Sequence, residues 1–486
     1  MRWLDELIDD TPGSDTAIID HDGTTLSYEA LRAEITQAAQ RLTVQGVSPG
    51  DRVLIVAENC AQLAIAFLAA VRLRAWCIPV NARVTANELD AIRSHATPRV
   101  TLFTTDVSPD AQTHADRLGA TPLAPGWTAL TDSTVVPEPV FDTPARQVAA
   151  MVYTSGTTGA PKGVMLSHQS LVFNATVSAR TRHFAPGDTL ILTLPCTHIM
   201  ALSTSLLAGL SGGATIRFLA RFTVDAQLRA LAEGGTVMSV VPQIFDQLLR
   251  KLDADNATLT APGLRMIGCG GAPLDPALKA RVESRFGLTL QNGYGLTEAG
   301  PGVTSTIYGP PRRDGSIGYV YPECAVQIDA PDGDGAGELL FRGPGVMLGY
   351  YRNPQATAEV MTETGYLRTG DLARIDPDGA VHLVGRKKEL IVRSGFNIYP
   401  PEVEAALMSC PGVLQAAVAG RTHAGNEEVL AFVTTNGSTD TVTIAAHLRQ
   451  HLAPYKQPQH ITIVAAMPMT SAGKIRKPTL VEGFTP

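Results

Sequence analysis

An α/β fold is predicted for this chain, with a large N-terminal domain of helix-covered sheets and a small α+β domain at the C-terminus. Three observations predict it. At 486 residues the chain exceeds what one hydrophobic core supports, so at least two domains are expected. Apolar strand patterns alternate with amphipathic helical patterns through the N-terminal part, which implies parallel sheets covered by helices. Beyond the stretch GRKKELIVRSGFNIYPPEVE (385–404) the pattern shifts to a compact run of about a hundred residues, a natural size for a small domain. The domains are expected to span 1–387 and 388–486.

In chain order, LSYEALRAEITQAAQRL places Leu31, Ile35, Ala38 and Leu42 on one helical face. DRVLIVA (51–57) reads as a buried strand, and AQLAIAFLAAV (61–71) as a buried helix too short to span a bilayer. Thr85-Ala-Asn-Glu88 is a capping box that opens another helix, and RVTLFT (99–104) is the next strand. The polar segment 105–144, rich in Pro, Thr and Asp, is expected to be mostly loop leading into the core strand VAAMVYTS (148–155). Asp275 and Pro276 form a helix start ahead of a Leu278/Val282/Phe286 stripe. DAPDGDGAGE (329–338) is a turn-rich connector. In the small domain Pro401 opens a helix carrying Val403 and Leu407. Strands at 413–420 and 428–435, a helix at 443–452 and a strand at 460–467 follow.

Composition narrows the function classes. Hydrophobic content of 44% with 17% charged residues describes a globular chain, and a net charge of −7 carries no electrostatic footprint for nucleic acid. Six cysteines at 60, 77, 196, 269, 324 and 410, with no C-x-x-C pair, argue against a disulfide framework or zinc site and fit a reducing compartment. The first ten residues, MRWLDELIDD, carry four acids and no apolar core, unlike a signal peptide. No integral membrane segment and a cytoplasmic location are expected.

YTSGTTGAPKG (153–163) follows an apolar strand and has the composition of a phosphate-binding loop. It does not fit G-x-x-x-x-G-K-[ST], because Lys162 lies between Pro161 and Gly163. Gly156, Gly159 and Gly163 let backbone N–H groups face an anion; Thr154, Ser155, Thr157 and Thr158 add hydroxyl donors, and Lys162 adds charge. NGYGLTEAG (292–300) clusters Asn292, Gly293, Tyr294 and Gly295 with Thr297 and Glu298. Here Tyr294 is suited to stack on a flat ring, Thr297 to donate to phosphate and Glu298 to hold Mg²⁺. Asp371 of TGD (369–371) suits ribose hydroxyls, and Lys474 sits on a glycine-containing turn in PMTSAGKIRK (468–477).

With these motifs in this order, the chain resembles the adenylate-forming superfamily, in particular acyl- and aryl-CoA ligases, over roughly residues 15 to 480. The resemblance implies a smaller β subdomain and a mobile C-terminal domain. It also implies a two-step reaction: a carboxylate attacks the α-phosphate of ATP to give acyl-AMP and pyrophosphate, and the acyl group then passes to a thiol. Two anions must meet in the first step, so Mg²⁺ and cationic side chains are needed where charge develops.

Carried onto this sequence, the loop 154–163 would hold the β- and γ-phosphates, Thr297 the α-phosphate and Glu298 the Mg²⁺. Gly271, Ala272 and Pro273 would face Tyr294 across adenine; Asp371 and Arg386 would bind ribose. Lys474 would bridge carboxylate and α-phosphate, Lys388 would be the hinge between half-reactions, and Gly395 and Phe396 would contact CoA. His198 matches a histidine beside the acid pocket of such ligases; a buried core histidine is the rival reading.

GYGLTEAGP is similar to the coumarate-CoA ligase version of its motif, while the loop SGFNIYP also occurs in fatty acyl-CoA ligases. No aspartate near His198 could pair an amino-acid ammonium, so an apolar acid, aromatic or medium-length aliphatic, is expected. The short tail after Lys474 favours CoA over an attached carrier domain as acceptor. An acyl-AMP ligase loading a separate carrier protein and a luciferase-like monooxygenase are the alternatives. The partners expected are therefore ATP, CoA and a small carboxylate, without nucleic acid and with allowance for a homodimer.

Overall fold

The structure, a computed structural model, describes residues 2–154, 162–393, 396–423, 426–469 and 475–484. It divides into two compact units: residues 1–326 with 341–367, and residues 327–340 with 368–486. The expected boundary at 387/388 falls inside the second unit.

Two large sheets build the first unit. One has eight strands, in the order Gly349–Tyr350, Lys162–Ser167, Val148–Thr154, Trp76–Asn81, Arg52–Ala57, Val100–Thr104, Trp127–Thr131 and Thr121–Ala124. Its centre is parallel and its margins antiparallel. Every residue of Arg52–Ala57 is buried, as expected for a strand covered on both faces. The other sheet has nine strands. Its parallel core runs Thr16–Ile19, Thr215–Phe218, Thr189–Leu192, Val237–Val240, Met266–Cys269 and Leu290–Gly295, and Gly302–Ser305 returns antiparallel beside the last of these.

The helices follow the predicted periodicities. Leu31, Ile35, Ala38 and Leu42 of Tyr28–Val44 are fully buried, and each Leu or Ile so buried contributes about 1.5–3 kcal/mol. The helix Ala61–Arg72 is buried almost all round. Thr85 and Glu88 make both bonds of the capping box. Asp275 caps Pro276–Phe286, whose Val282 packs with Leu278 and Phe286.

The segment 105–144 is more ordered than its composition predicts. It holds the helix Pro109–Leu118, capped by Ser108 and ended by Gly119 at φ 69°, and the strands Thr121–Ala124 and Trp127–Thr131. Those local start and stop signals outweigh its polarity, because Ala111, Ala115 and Trp127 reach the core.

The second unit contains a four-stranded sheet ending in the hairpin of Leu367–Ile375 and Val381–Arg386. It also holds the two-stranded ribbon Ile391–Arg393/Phe396–Ile398, and a three-stranded sheet of Val413–His423, Asn426–Thr435 and His460–Ile463. Val403 and Leu407 of Pro400–Met408 are fully buried against this last sheet. The cysteines are free, and among the described residues no helix is long and apolar enough to cross a membrane.

Candidate active site

The strands Val148–Thr154 and Lys162–Ser167 form an antiparallel hairpin in which Thr154 lies opposite Lys162 and Tyr153 opposite Gly163. The two strands thus flank the glycine-rich stretch and bring its first and last described residues, Thr154 and Lys162, side by side. Ser155, Gly156, Thr157, Thr158 and Gly159 lie outside the described residues. The Lys162 ammonium sits over the ring of Tyr350, 4.8 Å from its centroid.

Leu290–Gly295 leads through Leu296 into a tight 3₁₀ turn, Thr297–Ala299, and the chain returns as Gly302–Ser305. The turn is closed by backbone contact. A side chain at Gly295 would place its Cβ 2.1 Å from the Pro301 carbonyl oxygen. Gly300, at φ 76°, could carry no Cβ without meeting Ser170, Gly345 and Asn174. Asn174 spans the turn: its amide donates to the Ala299 carbonyl at 3.3 Å and its oxygen accepts from the Gly302 N–H at 3.0 Å.

Thr297 is buried at this turn and Glu298 half-buried. The Tyr350 hydroxyl donates to Glu298 Oε1 at 2.7 Å, and the Met347 N–H donates to the Glu298 carbonyl at 2.8 Å. Burial, and then the neighbouring Glu298 carboxylate, push the Tyr350 phenol well above its ordinary range, so it stays a donor. Gly293 and Tyr294 pair with Ser305 and Thr304. Asn292 is buried, its amide donating to the Ser316 carbonyl at 3.0 Å.

The neighbouring strand Met266–Cys269 ends at Gly270-Gly271-Ala272-Pro273, where Gly271 takes φ 77°. A Cβ at Gly270 would lie 3.1 Å from the Gly293 carbonyl oxygen and 3.3 Å from Met200 Cε. The predicted adenine wall, the Tyr294 strand and the segment following His198 therefore converge. His198 caps the short helix Ile199–Ala201, its Nδ1 accepting from the Met200 N–H at 3.4 Å. It is exposed, which removes the core-histidine reading. Asn59 fixes the approach to it, donating to the carbonyls of Leu192, Leu194 and Leu219 and accepting from the Cys196 N–H at 2.8 Å.

On the second unit, Asp371 and Arg386 are directly opposed across a β-hairpin, with Arg386 Nε 3.4 Å from Asp371 Oδ1. Lys388 lies in the 3₁₀ turn Lys387–Glu389. Phe396 is half exposed and stacks on Tyr455 at a ring separation of 4.5 Å. Gly395 and Lys474 lie outside the described residues.

Three contributors, Tyr350, Asn174 and Asn59, were not among the residues singled out from the sequence. Each acts on a segment more than fifty positions away, so no local motif marks it. The only sequence trace is the Gly349-Tyr350-Tyr351 run.

Residues 4–351 match the AMP-binding enzyme family, and residues 402–474 match the AMP-binding enzyme C-terminal domain. The chain is 33% identical to a sulfoacetate–CoA ligase of Cupriavidus necator, over 94% of this chain and 92% of that one. It is also 33% identical to a feruloyl-CoA synthase of an Amycolatopsis species, over 94% of each. The crystal structure of ATP-bound MatB from Rhodopseudomonas palustris superposes with a TM-score of 0.88 at 31% identity, covering 99% of this chain and 98% of that one. The chain belongs to the AMP-binding enzymes of the adenylate-forming superfamily, as an acyl- or aryl-CoA ligase.

Proposed function

We propose that this ligase activates an apolar aromatic or medium-length aliphatic acid in the cytoplasm, using ATP with Mg²⁺ and delivering the acyl group to CoA. The observation that carries the acid class is the apolar wall where Met200 and Val241 approach Gly270 and Gly271. A charged acid group at the far end of a substrate would be desolvated against those two side chains, neither of which can pair with it.

The hairpin bearing Thr154 and Lys162 is assigned to the departing pyrophosphate, together with Ser155, Gly156, Thr157, Thr158 and Gly159. Thr297 is assigned to the α-phosphate, and Tyr294 with Gly271, Ala272 and Pro273 to adenine. Asp371 and Arg386 are assigned to ribose, Gly395 and Phe396 to CoA. Lys474 would supply the cation between carboxylate and α-phosphate.

Glu298 fits a Mg²⁺ ligand. One carboxylate oxygen is fixed by Tyr350, while among the described residues the other has no partner. A single carboxylate, with phosphate oxygens and water completing the shell, is the usual way a protein holds Mg²⁺ beside a nucleotide. The metal would neutralise phosphate charge when bound.

The test is AMP and pyrophosphate release across a panel of aromatic, aliphatic and dianionic acids, with and without CoA. The expected result is turnover with apolar acids, with acyl-CoA formed only when CoA is present. Preference for a dianionic acid would overturn the acid class.

A further inference from the structure

Lys162 and Glu298 carry opposite charges on neighbouring parts of the large unit, yet no ion pair joins them among the described residues. Tyr350 contacts both. Its strand, Gly349–Tyr350, pairs antiparallel with Lys162–Ser167 so that Tyr350 lies opposite Val164. Val164 and Lys162 are two residues apart on one strand and share a face, which sets the lysine diagonally across from the ring. The ammonium lies 4.8 Å from the ring centroid, where the negative face of the aromatic attracts a cation. At the other end of the same side chain, the hydroxyl donates to Glu298 Oε1 at 2.7 Å.

The tyrosine is well held. It is 7% exposed, and its N–H donates to Thr357 Oγ1 at 2.9 Å. A cation and a carboxylate in direct contact at a partly desolvated site would neutralise each other and compete with a charged ligand. A tyrosine between them satisfies each with a different part of one rigid group.

We propose that Tyr350 is a positioning residue of the adenylation site: its ring holds the Lys162 ammonium and its hydroxyl holds Glu298 Oε1, leaving Oε2 for a divalent cation. The proposal rests on the assignment of Glu298 as a metal ligand. It separates two effects that removal of the whole side chain would merge. Tyr350→Phe keeps the ring beside Lys162 and loses only the bond to Glu298; Tyr350→Leu loses both.

The experiment is equilibrium dialysis of ATP without acid substrate, once with EDTA and once with saturating Mn²⁺, on the full chain and on Y350F, Y350L and E298Q. The readout is the gain in ATP affinity that the metal brings. For Y350F that gain is expected to fall about tenfold, the size typical of lost outer-shell support to a metal ligand, while metal-free ATP affinity stays within about twofold. Y350L is expected to lower both. If E298Q abolishes the gain and Y350F leaves it intact, the role given to Tyr350 is wrong and that given to Glu298 stands. If E298Q keeps the gain, the Glu298 assignment falls and the proposal with it. Equal weakening of metal-free and metal-supported binding in Y350F would mark a merely structural tyrosine and overturn the proposal. The isosteric Phe variant decides the matter even if Y350L fails to fold.

Discussion

Glu298 and Asp371 are both carboxylates positioned by antiparallel strand pairs, but their surroundings differ in kind. Glu298 sits on a turn locked by backbone contact at Gly295 and Gly300, by both ends of the Asn174 amide, and by the Tyr350 hydroxyl. Asp371 sits in an open hairpin of the other unit, opposite an Arg386 side chain that is 58% exposed. The first carboxylate is held by close packing and buried hydrogen bonds; the second is set by strand register beside an arginine that is mostly in solvent. Substitutions around the first should therefore damage fold and function together, whereas those around the second should damage function alone.

The largest effect is expected from Gly295→Ala. A Cβ 2.1 Å from a backbone oxygen cannot be relieved by a side-chain rotation, so the turn must open. Overpacking of this type costs about 1–3 kcal/mol or more, and pyrophosphate release should fall below detection while the melting temperature drops. Asn174→Ala comes next. It leaves the Ala299 carbonyl and Gly302 N–H buried without their partner, a loss of about 1–3 kcal/mol readable by denaturant titration.

The same contrast explains how much the sequence could reveal. Thr85, Glu88, Asp275 and the Leu31/Ile35/Ala38/Leu42 stripe are local signals, and the structure realises each of them. Asp371 and Arg386, which the resemblance assigns together to ribose, lie in different sequence motifs, and strand register places them opposite one another. Asn174 acts across more than a hundred positions, and its side chain has no periodicity or motif that reports the contact. The segment 105–144 misled in the opposite direction, because its polar composition concealed the Ser108 and Gly119 helix signals.

A third, smaller effect concerns acid stability of the large unit. His168 is fully buried; its Nδ1 accepts from the Leu4 N–H at 3.3 Å, and Trp3 packs edge-on against the ring. Burial holds its pKa down at about 3. The unfolded chain takes up this proton near pH 6.5 and the folded one only near pH 3, so the contribution is complete above pH 6.5 and lost as pH falls between them. The slope attributable to this residue is at most about 1.4 kcal/mol per pH unit. Urea titrations of His168→Gln should show a flatter acid limb, and an unchanged limb would remove His168 as its source.

The smallest effect on stability is expected from Asp371→Ala. An ion pair whose arginine is mostly in solvent contributes about 0–1 kcal/mol, so melting should change little while the KM for ATP rises and pyrophosphate release slows. If D371A destabilises as strongly as N174A, the contrast between the two carboxylates is wrong.

The central claim is that a carboxylate oxygen attacks the α-phosphate and that a thiol then displaces AMP from the acyl carbon. An acid labelled with ¹⁸O in both carboxylate oxygens tests this directly, with mass spectrometry of the AMP released in the presence of CoA. AMP carrying one labelled oxygen and an acyl-CoA carrying the other are expected. Unlabelled AMP, or label appearing in phosphate or pyrophosphate, would contradict it.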